Sequence, residues 1–372
     1  MWGKIFLFLA AVVIAVAAFG GGYLVQSTMW SDLPYEKPKF NIDGTVRVPS
    51  FDLPPSNYMS EEAKAFLKTR VLGISAVPSG EGDIESVRRN LDLLMSPAVS
   101  QVKNQYPVNI AEETIAGVPT RVFTPAEKDF DPDRVIINFH GGGFSVCWDG
   151  CSILESVPVS VLGGYKVVSV NYRMAPEATH PAGLEDALAV YRELLKDYDA
   201  KHIGMYGCSA GGSLTAQSVS ALTANNEPTP GAIGIFGAGA VNFSTGDSSY
   251  VAAYIDGSFP PPSAPDESDS DESRPEVTRG YFANADMEGP VLSAAMYPDV
   301  IAKFPPTMLI TGTRAMDLSP AIYTNSRLIK AGVPTRLIVG EGMGHCYLYM
   351  SNLPEAQDAH AATVAFFKEN LR

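Results

Sequence analysis

Residues 134–146, "RVIINFHGGGFSV", run from an apolar strand-like segment straight into a histidine and three glycines. Glycine has no side chain to pack, so three in a row at the end of such a run must serve the backbone rather than the core. Reading outward, comparable apolar runs recur at 166–173 ("KVVSVNYR"), 202–208 ("HIGMYGC"), 231–239 ("GAIGIFGAG"), 307–313 ("TMLITGT") and 335–341 ("TRLIVGE"). Between them lie stretches with apolar residues at helical spacing, such as 183–199 and 319–332, and the chain ends in the helix-like 354–371. Upstream, "VNIAEETIAGVPTRVFTPA" (108–126) reads as a hairpin. Strand and helix in this alternation predict an α/β fold with a mostly parallel central sheet flanked by helices.

The chain has 372 residues, 46% hydrophobic and 18% charged, enough for one large core. A formal charge of −14 argues against nucleic acid as a partner, which would require clustered Lys and Arg. Residues 1–30 hold one Lys and then an uncharged apolar run from Ile5 to Val25. This is an export segment: a cleaved signal peptide, with the small-residue site near Val16, Ala17 and Ala18, or an uncleaved membrane anchor through residues 5–25. Glycines 20 to 22 weigh against the anchor. Either way the folded body is expected outside the cytoplasm, periplasmic or secreted.

Such a compartment permits disulfides. "CWDGC" holds the one close pair, Cys147 and Cys151, which either close a small loop or remain two free thiols. From Trp30 to Pro107, Pro-rich segments alternate with two helical patterns, one starting at an N-cap-like Ser60 and one at Asp83, and no strand is expected. Residues 26–107 are read as an N-terminal helical region and 108–372 as the core, with 245–297 as a further element within it. Within that element, 259–276 is Pro, Ser and acid rich and reads as a solvated insert.

In a parallel sheet, ligands gather past the carboxyl ends of the strands. After strand 202–208 comes "GCSAGGSL", where Gly207, Ser209 and Gly211 form G-x-S-x-G between a strand and a helix. That spacing lifts a serine hydroxyl clear of a sharp turn, as a nucleophile needs. Serine also needs a base to take its proton. Of five histidines, His345 alone follows the last strand in a Gly-flexible loop, whereas His140, His180, His202 and His360 are read as structural. The opening glycines then acquire a purpose. Attack on an ester carbonyl leaves a negative oxygen, and each backbone N–H aimed at it stabilises the transition state by about 2.7–4 kcal/mol. Gly141 and Gly142 are expected to offer such groups, with Ala210 a third.

Together "HGGGF" (140–144), "NYRMAPEATHPAGLEDA" (171–187), "GCSAGG" (207–212), "FPPTMLITGT" (304–313) and "EGMGH" (341–345) resemble the hormone-sensitive-lipase-like family of α/β-hydrolase esterases, over about 108–372. The resemblance implies an eight-stranded sheet with a helical cap built from residues 26–107 and 245–297, short- to medium-chain carboxylic esters as small-molecule substrates, and no cofactor. It assigns Ser209 as nucleophile, His345 as base, and Gly141, Gly142 and Ala210 as the oxyanion hole. The chain departs from the family pattern twice. Cys208 precedes the nucleophile where an acid is common, and is expected to be buried and inert. In "GTRAMDLSP" the usual acid position is Ala315, so Asp317, two residues on, is assigned to orient His345. The alternatives are a helix-terminal Asp317 that only favours the macrodipole, with Glu341 a weaker substitute. Competing functions are a lactone or acetyl-ester hydrolase on the same machinery, and a non-catalytic ligand-binding protein on the same fold.

Overall fold

The computed structural model describes residues 38–69, 83–243, 245–256, 278 and 280–372. The apolar leader 5–25 and the acidic insert 259–276 lie outside the described residues. Among the described residues, no helix is long and apolar enough to cross a membrane. The chain divides into two compact units, Met1–Pro54 and Pro55–Arg372.

In the first unit, β1 (Lys39–Phe40) and β2 (Val46–Arg47) pair antiparallel. This corrects the expectation of no strand before residue 107. The cause is local: Asp43 Oδ1 accepts the Thr45 N–H at 2.9 Å, and Gly44 takes a φ of 90°, so "NIDG" turns the chain back on itself.

In the second unit, the two expected helices are Glu61–Thr69 and Ile84–Gln105. Ser60 Oγ accepts the Ala63 N–H at 3.0 Å, and Asp83 accepts the Ser86 N–H at 2.9 Å, each satisfying an amide that a helix start leaves open. Ser60 also donates to Glu355 Oε2, tying the first helix to the C-terminal helix Pro354–Asn370.

An eight-stranded sheet follows, in the order β10-β9-β8-β7-β5-β6-β4-β3. Its members are β3 (Val108–Ile115), β4 (Val118–Pro125), β5 (Asp131–Phe139), β6 (Tyr165–Val170), β7 (Ile203–Cys208), β8 (Ala232–Phe236), β9 (Thr307–Gly312) and β10 (Thr335–Gly340). Only β4 runs against its neighbours. β3 and β4 meet at Ala116 (φ 51°) and Gly117 (φ 82°), the two left-handed residues of a tight hairpin. A Cβ on Gly117 would touch nothing within 4 Å, so Gly117→Ala tests backbone conformation alone. It is expected to cost about 1 kcal/mol and to lower the melting temperature by about 2 °C, measured by thermal denaturation.

β5, β7, β8 and β9 are covered on both faces, and Val135, Ile136, Ile137, Phe139, Met205, Ile233 and Leu309 are fully buried. Burial on both sides is why these strands read as unbroken apolar runs. β5 pairs with β6 on one side and β7 on the other, so successive crossovers depart in opposite directions from β5. That reversal opens a crevice at the carboxyl ends of β5 and β7, where Phe139 pairs with Gly207. The glycine loop begins one residue past Phe139, and Ser209 lies two past Gly207.

Candidate active site

Ser209 sits between β7 and the helix Ala210–Ala224 with φ 60° and ψ −123°, a conformation that L residues avoid. The flanking glycines make it possible. A Cβ at Gly207 or at Gly211 would collide with the Phe139 carbonyl, so only glycine lets this helix start against the end of β5. The Ser209 N–H donates to Phe236 O at 2.9 Å, which pins the turn to the end of β8.

His345 follows β10, and its side chain is 10% exposed. Its Nδ1 lies 2.6 Å from Asp317 Oδ1. A carboxylate can only accept, so Nδ1 carries the proton and Nε2 is left as the acceptor. Asp317 is fully buried, and its Oδ2 accepts the Thr311 hydroxyl at 2.5 Å. Asp317 does stand at the cap position of the helix Leu318–Lys330, yet its side chain makes no capping bond. Its carboxylate is committed to His345 and Thr311, and the macrodipole reading accounts for neither contact. Glu341 is exposed and Ala315 fully buried. A Cβ on Gly237, next to Phe236, would lie 3.1 Å from His345 Cε1, so the His345 ring and the Ser209 turn border the same two residues at the end of β8.

The glycine loop corrects one assignment. Gly141 donates its N–H to Glu155 Oε1 at 2.8 Å, so this amide is already satisfied inside the protein. Among the described residues, the N–H groups of Gly142, Gly143 and Ala210 have no protein acceptor. Gly143 therefore replaces Gly141 as a candidate donor beside Gly142 and Ala210. Gly142 takes a φ of 115°, and a Cβ there would run into Val146 O. Arg88 ties this loop to the helix Ile84–Gln105: its guanidinium donates to Ser145 O at 2.9 Å and pairs with Glu177 at 2.7 Å.

All four cysteines are bonded. Cys147–Cys151 closes the small loop at the start of the helix Trp148–Gly163. Cys208–Cys346, 138 residues apart in sequence, went unseen by sequence reasoning, which took Cys208 for an inert thiol. It joins the residue before Ser209 to the residue after His345, and the Cys346 sulfur lies 3.6 Å from His345 Nε2.

Sequence reasoning also missed Glu155. It is the one charged side chain within the otherwise apolar 150–165, which is the signal that marks it. It is 5% exposed, and burial pushes its carboxyl up to about 7. Asn138 Nδ2, the Gly141 N–H, the Cys208 N–H and the Tyr349 hydroxyl all donate to it, at 2.9, 2.8, 3.1 and 2.7 Å. The remaining histidines stand apart from Asp317. Burial pulls His140 and His360 down to about 4, so both stay neutral, and His140 stacks on Tyr172 at 4.4 Å. Burial also lowers His180. Beside His345 opens a cleft of about 220 Å³ with apolar walls from Met59, Phe66, Leu67, Met343 and Met350.

Known proteins resemble this chain in sequence and fold. A versiconal hemiacetal acetate esterase of Emericella nidulans is 33% identical over 122 residues, 32% of this chain and 41% of that protein. The matches cover between 29% and 54% of the lengths of curated relatives such as this one. Solved structures match over nearly their whole length. The esterase E25 superposes with a TM-score of 0.74 at 28% identity, covering 88% of this chain and 99% of that one. An esterase from the bacterial hormone-sensitive lipase family gives 0.69 at 25% identity, covering 82% and 97%. Residues 136–349, from β5 through the loop after His345, match the alpha/beta hydrolase fold family, and with more than half of its length inside that match the chain belongs to this family.

Proposed function

We propose that the protein is an exported serine carboxylesterase that hydrolyses short- to medium-chain carboxylic esters through an acyl-enzyme intermediate. The observation that carries this reading is the 2.6 Å bond between His345 Nδ1 and a fully buried Asp317, with Ser209 held on its strained turn nearby. The bond leaves His345 Nε2 unprotonated and able to take the Ser209 proton as the hydroxyl attacks the ester carbonyl. The N–H groups of Gly142, Gly143 and Ala210 would receive the oxyanion. Protonated Nε2 then gives its proton to the leaving alcohol, and a water activated by the same nitrogen releases the acid. Asp317 stabilises the imidazolium in both halves of the cycle.

The thioether and aromatic walls of the cleft beside His345 would suit a short apolar chain. Residues 26–107 and 245–297 are the cap region in this reading. Export rests on the apolar leader and on two disulfides, which fit an oxidising compartment. The test is turnover of p-nitrophenyl esters from acetate to dodecanoate by residues 27–372. Rates are expected to peak between butyrate and hexanoate and to fall by at least tenfold at dodecanoate. Folded protein that turns over none of them would favour the ligand-binding alternative.

A further inference from the structure

Four segments must hold still for this site to work: the end of β5, the glycine loop, the turn that carries Ser209 and the loop after His345. One side chain touches all four. Glu155, on the helix Trp148–Gly163, takes Asn138 Nδ2 and the Cys208 N–H on Oε2, and the Gly141 N–H and the Tyr349 hydroxyl on Oε1. Four donors converge on two oxygens, about the full acceptor capacity of a carboxylate. A carboxylate so surrounded fixes the peptide planes that donate to it, and two of those planes border the chemistry. The Gly141 amide precedes the unpaired amides of Gly142 and Gly143, and the Cys208 amide precedes Ser209.

We propose that Glu155, as a carboxylate, is the positioning residue of this site: by holding the Gly141 and Cys208 amides and the Tyr349 hydroxyl it aims the oxyanion donors and aligns the Ser209 turn with the His345 loop. The proposal rests on the hydrolytic reading for its kinetic consequences but not for its structural one. Glu155 touches no reacting atom. Its effect passes through backbone amides, and a neutral amide side chain cannot reproduce it, because an NH2 group would face donors.

The ionisation state matters accordingly. Protonated Glu155 must donate, and of its four neighbours only the Tyr349 hydroxyl can turn round to accept. The titratable groups facing it are the phenols of Tyr349, Tyr206 and Tyr172, each held neutral by burial, and among the described residues no cation partners it. Burial raises its carboxyl, so the carboxylate is lost as the pH falls through about 7.

Glu155→Gln is the first variant, assayed with p-nitrophenyl butyrate from pH 5 to 9 alongside wild type. Its kcat at pH 8.5 is expected to fall by about 10- to 100-fold with KM within about twofold, less than the loss of a whole oxyanion donor. The acid limb of wild-type kcat is expected to be steeper than one proton allows, and to relax to a single ionisation in the variant. Tyr349→Phe keeps the carboxylate and removes one donor that favours it, so the acid limb should move to higher pH. This second variant carries the test if Glu155→Gln fails to fold. Crystal structures of wild type and variant read the positioning directly, as displaced Gly141–Gly143 peptides. An unmoved loop with kcat within twofold of wild type, or an acid limb that neither substitution changes, would overturn the proposal. Wild type inert toward every ester, with the loop displaced in the variant, would refute hydrolysis and leave the positioning role standing.

Discussion

Ser209→Ala is expected to lower kcat for p-nitrophenyl butyrate by on the order of 10⁶-fold. The loss would be this large because, in the proposed mechanism, the serine oxygen forms the acyl bond and no neighbouring group replaces it. Removing the hydroxyl leaves the turn intact. The strain at φ 60° belongs to the backbone, Ala tolerates it no worse than Ser, and the Ser209 N–H keeps its bond to Phe236 O. The melting temperature should therefore stay within about 2 °C of wild type. Mass spectrometry after exposure to a fluorophosphonate supplies a second readout, with stoichiometric labelling of wild type at Ser209 and none of the variant. Residual turnover above a hundredth of wild type, or labelling elsewhere, would show that the nucleophile is another residue.

Asp317→Asn should be the next largest effect, on the order of 10⁴-fold in kcat. The change is nearly isosteric, and Thr311 can still donate to the amide oxygen, so the side chain should keep its place. That leaves the amide NH2 toward His345. A ring nitrogen facing a donor must accept, which moves the imidazole proton to Nε2, the atom that has to receive the serine proton. The variant should fold, bind ester with little change in KM and turn over slowly across pH 6 to 9. A kcat above one tenth of wild type would remove Asp317 from the mechanism and return the 2.6 Å contact to a structural role.

Much of this was legible in the chain because the deciding contacts are local. The doubly buried strands announce themselves as apolar runs, and the glycines of "GCSAGG" and "HGGG" mark turns whose steric demands can be derived from the motif alone. His345 was recognisable by its place after the last strand. Asp317 was legible only as the carboxylate available in its loop, and its bond to His345 gives that choice a geometric basis. What stayed hidden depends on distant pairs. Which glycine amide is free depends on Glu155, fourteen residues beyond Gly141 and on another element. Nothing near Cys208 points to Cys346, because their meeting follows from the sheet order that brings the end of β7 toward the loop after β10. The hairpin at Lys39–Arg47 was missed because its strands are two residues long and the turn, rather than any apolar pattern, creates it.

The Cys208–Cys346 bridge closes a covalent ring through the sheet, with Ser209 and His345 beside its clasp. Loops that carry catalytic histidines are commonly the first parts of a fold to open, and this one cannot open alone. Cross-linking across 138 residues removes chain entropy from the denatured ensemble worth about 5 kcal/mol in the loop-closure account. The larger consequence concerns where the molecule gives way. With the His345 loop tethered to β7, fraying at the C-terminal edge of the sheet would have to carry the central strands with it, so separation of Ser209 from His345 and loss of the fold become one cooperative event. A molecule built this way does not lose the placement of Ser209 and His345 by degrees; it remains whole until it melts.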